Sequence, residues 1–195
     1  MTITGSATAS QYQTLLRSVI YSDVSANPIT SVTRVAKFTL TDVNSSSGSG
    51  VQDLTVTAIN DPPIVAVNDS TALTYQANGA AIAIMSNALI SDADSTNLSK
   101  LTIQITSGYQ NNGGGNDVLS FVNQLGIAGS FNAVTGTLTL SGLSSVGNYR
   151  QALRQVMFNT SGSVVSTTTR TFTIIATDDT NTNSNPVTRN MTITS

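Results

Sequence analysis

The stretch that decides the fold is LTLSGLSSVGNYRQALRQVMFN, residues 138–159, because the chain opens on a variant of it, MTITGSATASQYQTLLRSVIYS, residues 1–22. Gly5 matches Gly142, Tyr12 matches Tyr149, Leu16 and Arg17 match Leu153 and Arg154, Val19 matches Val156, and Tyr21 matches Phe158, all at a separation of 137. Further on, RVAKFTLTD (34–42) matches RTFTIIATD (170–178) at 136, and LTVT (54–57) matches MTIT (191–194) at 137. Small register changes that fall in loops are the mark of repeated units. A period of this size is that of a domain, so the pattern predicts a tandem array of globular modules rather than a solenoid of short repeats.

The division that follows is residues 1–60, the C-terminal part of one unit, and residues 61–195, a nearly complete second unit. AINDPP (58–63) sits at the joint, where two prolines fix φ and remove backbone donors, predicting a stiff, extended crossing. The abrupt start at MTITGS reads as though cut from something longer.

Within each unit most segments read as strands. LTIQI (101–105), TLTL (137–140), TRTFTIIAT (169–177) and RNMTIT (189–194) alternate apolar residues with Thr and other polar residues, the pattern of a strand with one buried face. Turn residues separate them at ANG (77–79), NNGGGN (111–116), AVTG (133–136) and DDTNTNSNP (178–186). This spacing predicts an all-β chain of antiparallel β-sandwich modules. One segment differs. Tyr12, Leu15, Leu16 and Val19 fall on one helical stripe, and Thr8 with Gln11 has the form of a capping box. The second copy keeps a cap at Ser145, with Asn148 a poorer third-position partner. A short helix is therefore expected in each unit, with its Tyr and Leu residues in the core.

Composition removes most enzyme chemistry. The 195 residues contain no Cys, His or Trp, and all ten acidic residues are Asp. Without His or Cys there is no usual nucleophile–base pair and no zinc or haem site of the common kinds. An Asp-based hydrolase is the one enzymatic option left, and the reading is non-enzymatic. Charged residues make up 9% and the net charge is −2, which predicts neither a nucleic-acid-binding surface nor a polybasic membrane anchor. No signal peptide and no apolar run of about 20 residues is present. Low charge, many Thr and Ser, and few aromatics suit an extended secreted β protein. Sequons at Asn44, Asn68, Asn97, Asn159 and Asn190 are of the kind that arise by chance in such a composition.

The series DADSTNLSKLTIQITSGY, NDVLSF, GSFNAVTGTLTLSG, NYRQALRQVMF and RTFTIIATDD resembles the cadherin-like tandem repeats of large bacterial surface proteins and adhesins, which are related in pattern to chondroitin-sulfate-proteoglycan repeats. The resemblance spans the whole chain. It implies Greek-key sandwiches of cadherin or immunoglobulin type and Ca²⁺ held between successive domains. Its ligands would be Asn60 and Asp61 in the linker, Asp92 and Asp94 of an Asp-x-Asp loop 31 residues on, and Asp23 from the preceding unit. Asp-x-Asp suits this because alternate residues in a turning loop can aim hard oxygen ligands at one cation. Asp178 and Asp179 would serve a further joint, with Asp42 their counterpart in the first copy. Two departures stand out: the chain has no Glu, and YQANG (75–79) replaces the related Tyr-x-Glu-Gly-Gly. Apart from the resemblance, SDADS (91–95) also reads as a solvated loop of Asx turns.

NGGGNDVL (112–119) is similar to the RTX calcium nonapeptide. That motif needs stacked successive turns, and one copy stands here, so the glycines are read as a hairpin with Asp117 capping the loop. The functional expectation is a structural segment of a long extracellular, cell-surface or matrix protein: a spacer, adhesion or self-assembly module. Its partners would be neighbouring repeats of the same or another chain, including strand complementation of the incomplete first unit. The alternative is a carbohydrate- or matrix-binding module. For that role Tyr109, expected to be exposed, is the candidate aromatic.

Overall fold

The computed structural model describes residues 1–69 and 71–195, so the sequon at Asn68, which ends at Ser70, lies partly outside the described residues. The chain forms two compact units, Met1–Ala58 and Ile59–Ser195.

The first unit holds a helix α1 (Ala9–Arg17) and an antiparallel hairpin of β1 (Arg34–Thr41) and β2 (Ser47–Leu54). Thr8 and Gln11 close the capping box: the Gln11 amide donates to Thr8 Oγ1 at 3.3 Å, and the Thr8 amide donates to Gln11 Oε1 at 2.8 Å. Two orphan donors of the first turn are thereby satisfied. The expectation that this helix is core does not hold in this unit, where none of its residues is buried. The apolar stripe is present, but a helix and a two-stranded hairpin are too few elements to enclose it.

The second unit carries β3 (Ile64–Ala66), β4 (Leu73–Gln76), β5 (Ile82–Ala83), β6 (Leu89–Ser91), β7 (Asn97–Ser107), β8 (Asn116–Ser120), β9 (Ala128–Asn132), β10 (Thr137–Ser145), α2 (Val146–Arg154), β11 (Met157–Ser161), β12 (Arg170–Asp178) and β13 (Val187–Thr194). A six-stranded sheet runs in the order β4-β13-β12-β7-β10-β9, a three-stranded sheet in the order β5-β11-β8, and β3 pairs with β6. The fold is thus all-β, with several sheets and one short helix in each unit. Among the described residues all ladders are antiparallel except β4 on β13, which is parallel. That edge departs from the purely antiparallel expectation.

The two larger sheets share one core. Leu101, Ile103 and Ile105 of β7, Leu138 and Leu140 of β10, and Phe172 and Ile174 of β12 alternate inward with period two. Phe158 of β11 meets Tyr75 and Phe172 edge-to-face at 5.3 and 5.5 Å between ring centroids. Tyr149, Ala152 and Leu153 bury one face of α2 in the same core.

The positions aligned in sequence carry matching local geometry. Tyr12 Oη donates to the Gly5 carbonyl at 2.6 Å, and Tyr149 Oη donates to the Gly142 carbonyl at 2.7 Å. Arg34 lies opposite Leu54 in one ladder, and Arg170 lies opposite Met191 in the other. Asp42 and Asp178 each accept the amides two and four residues on, around Ser45 and Asn181 at φ +66° and +69°.

Candidate functional site

One pole of the second unit gathers most of the acidic residues singled out above. The extended segment at Asn60–Asp61 meets two loops, the one between β6 and β7 and the one after β12. Asn60 Nδ2 donates to Asp178 Oδ2 at 2.8 Å and to Thr182 Oγ1 at 3.0 Å. The Asp61 amide donates to Asp94 Oδ2 at 3.0 Å. Ser95 Oγ donates to Asp179 Oδ1 at 3.1 Å, tying the two loops to each other.

The SDADS loop is an Asx turn. Asp92 Oδ1 accepts the Asp94 amide at 3.2 Å and the Ser95 amide at 2.8 Å. The turn brings the two carboxylates side by side. Each has one oxygen committed and one orphaned: Asp92 Oδ2 and Asp94 Oδ1 are shielded from water and have no hydrogen-bond partner. Burial pushes the Asp92 carboxyl above the ordinary carboxylate range. The neighbouring Asp94 adds to this against the backbone amides of Ser95 and Asp94. Asp178 behaves oppositely. Burial alone would raise it, but hydrogen bonds from Asn60, Thr182 and Thr180 outweigh that and hold it low.

A buried, unpartnered carboxylate oxygen is costly, so two together need either a proton or a cation. The donor set is all oxygen, which fits a hard cation such as Ca²⁺. Two orphaned oxygens would supply two of its roughly six to eight ligands, leaving the rest to carbonyls and water. Among the described residues, no group of three or more acidic side chains is placed to hold a metal. Of the five residues expected as ligands, Asn60, Asp61, Asp92 and Asp94 lie at this pole, but the Asn60 side chain is turned to Asp178 and Asp61 meets Asp94 through its backbone amide, so only Asp92 and Asp94 present unpartnered oxygens side by side. Asp23 is engaged within the first unit, where it accepts Arg34 Nη2 at 3.1 Å and the Ser25 amide at 3.1 Å.

Two other expectations change. Asp117 does more than cap its loop: it forms a fully buried ion pair with Arg170, at 2.8 Å from Nε to Oδ2 and 3.1 Å from Nη2 to Oδ1. A second bond to Asp117 Oδ2 comes from the Gln110 amide at 2.8 Å. These contacts occupy both carboxylate oxygens, as a loop ligand of RTX type would not be. The signal for it was the alternation of TRTFTII, which puts Arg170 in phase with Phe172 and Ile174. Tyr109 is half-buried rather than exposed. Its ring covers Gly136, where an added Cβ would come within 2.9 Å, and its hydroxyl donates to the Ala133 carbonyl.

No family model matches the chain, and neither a curated protein nor a solved structure matches it. Among the described residues, no helix is long and apolar enough to cross a membrane.

Proposed function

We propose that the chain is a non-enzymatic structural segment of an extracellular, cell-surface or matrix protein. In this reading it consists of two copies of one cadherin-like Greek-key sandwich module, the first in its C-terminal part only. The carrying observation is the doubled Tyr-to-Gly hydrogen bond, Tyr12 to Gly5 and Tyr149 to Gly142, with the same cap position and the same ladder register around each. Modules repeated in this way act as spacers, adhesive stalks or assembling layers.

Ca²⁺ held by Asp92 and Asp94 would neutralise their orphaned oxygens and fix the loop against the backbone of Asp61, stiffening the start of the second unit. Tyr109, the aromatic considered for carbohydrate, is half-buried with its hydroxyl held by the Ala133 carbonyl, which favours the spacer reading over a carbohydrate-binding module.

Thermal melts in chelator, in millimolar Mg²⁺ and in millimolar Ca²⁺ test the reading, because a ligand bound only by the folded state must raise the melting temperature. A rise specific to Ca²⁺, with no binding on a glycan array, is the expected result. Glycan binding with no Ca²⁺ shift would replace the spacer reading with a recognition module.

A further inference from the structure

The first unit exposes the residues whose counterparts form the core of the second. Leu16 is 47% exposed where Leu153 is 0%, Val19 is 39% where Val156 is 0%, and Tyr21 is 48% where Phe158 is 0%. The backbone is equally uncovered. β1 pairs only with β2, whereas β12, its counterpart, has β7 on its other edge. Residues 20–24 carry no strand, whereas their counterparts in β11 are laddered between β5 and β8.

Much of what covers these positions in the second unit comes from residues 59–137: β5 and β8 flank β11, β7 lies on the other edge of β12, and Tyr75 of β4 meets Phe158, with Phe172 of β12 completing that cluster. We infer that the exposed face of the first unit is a docking surface for a polypeptide segment of that same half-repeat pattern. Such a segment would add a β7-like strand to the free edge of β1 and a β8-like strand beside residues 20–24.

Charge supports the same occupant. Arg170 reaches the carbonyls of Ser166 and Thr168 with Nη1 and gives Nε and Nη2 to Asp117, a residue of the covering half. Arg34 repeats the first half of this arrangement, reaching the carbonyls of Ile29 and Val32 with Nη1. Its Nη2 turns to the local Asp23 instead. The occupant therefore brings an Asp in the place of Asp117, alternating apolar residues in the place of Leu101, Ile103 and Ile105, and takes over Arg34 from Asp23.

The inference rests on reading the two units as copies. The test is the full chain extended at its N-terminus by a second copy of residues 59–137, so that Thr137 precedes Met1 as it precedes Leu138. Hydrogen exchange is followed at residues 9–21 and 34–54. The expected result is monomeric protein in which these amides gain about 100-fold or more in protection, as they pass from local opening to cooperative unfolding. Changing the added copy's counterpart of Asp117 to Asn should remove much of that gain.

Unchanged protection in the extended chain overturns the inference. So does a dimeric unextended chain with residues 15–21 already protected, which would make a second copy the occupant. A separate chimera, with residues 1–22 placed over 138–159, tests the copy reading itself. If it folds cooperatively while the extension fails to dock, the docking inference alone is wrong. If the chimera fails as well, the copy reading falls with it.

Discussion

Arg170 and Asp117 form a two-pronged ion pair inside the second unit, with both side chains shielded completely from water. Removing one partner leaves the other charge buried and alone, the expensive case for such pairs. Asp117→Asn should cost about 3–5 kcal/mol in urea unfolding. Arg34→Gln, in the partly exposed, solvent-screened pair with Asp23, should cost under about 1 kcal/mol. Equal losses would contradict the burial difference between the two units.

Gly142 sits at φ +130°, with the Gly126 carbonyl 2.2 Å from where a Cβ would be; Gly5 sits at φ +147° with nothing within 4 Å. Gly5→Ala should carry only the backbone strain, about 1–3 kcal/mol within its own unit. Gly142→Ala adds a collision with backbone that cannot swing aside, so it should lower the main melting transition by clearly more. Differential scanning calorimetry of the two variants measures this directly.

Burial pushes the Tyr149 phenol up to about 12. Its folded pKa lies above that of the unfolded chain, so between about pH 10 and 12 the unfolded state holds fewer protons. Stability contributed by the protonated phenol is full below pH 10 and falls as pH rises toward 12. Tyr149→Phe should flatten that alkaline decline, while losing about 1 kcal/mol at neutral pH with the bond to Gly142. A decline of unchanged steepness in the variant would assign the effect to other groups.

Asp92 and Asp178 should respond to acid in opposite directions. The raised Asp92 carboxyl holds its proton more tightly when folded, so it penalises the fold at neutral pH and releases that penalty as pH falls through its folded pKa. The lowered Asp178 carboxyl contributes stability above its unfolded pKa that is lost as pH falls through the folded one. In chelator at pH 7, Asp92→Asn should raise the melting temperature, because Asn keeps the Oδ1 acceptor of the turn and replaces the orphaned oxygen. Asp178→Ala should lower it, since Asn60 and the 180–182 turn lose their acceptor.

Much of this architecture was legible in the residues. The i, i+3, i+4, i+7 stripe through Tyr12 and Leu16 gave the helices, and Thr8 and Ser145 gave their starts. Alternation in LTIQI, TLTL and TRTFTII gave the three central strands. What failed was long-range. The parallel seat of β4 on β13 depends on a return across 118 residues, Leu73 to Met191, that no local pattern encodes. Periodicity pointed Arg170 inward but could not name Asp117 as its partner, 53 residues away. The stripe on α1 also looked like core, because periodicity reports which face is apolar and not whether anything covers it. At the acidic pole, spacing brought Asp92 and Asp94 into one loop. Which of their oxygens are spoken for depends on the Asp61 amide and the Asx turn, and that is geometry.

The most direct test is calorimetric titration of Ca²⁺ into chelator-treated protein, beside the Asp92→Asn/Asp94→Asn variant. Saturable binding by the parent chain and none by the variant is the expected result, with the variant as stable as the chelated parent or more so. No heat at millimolar Ca²⁺, or binding that the double variant retains, would contradict it.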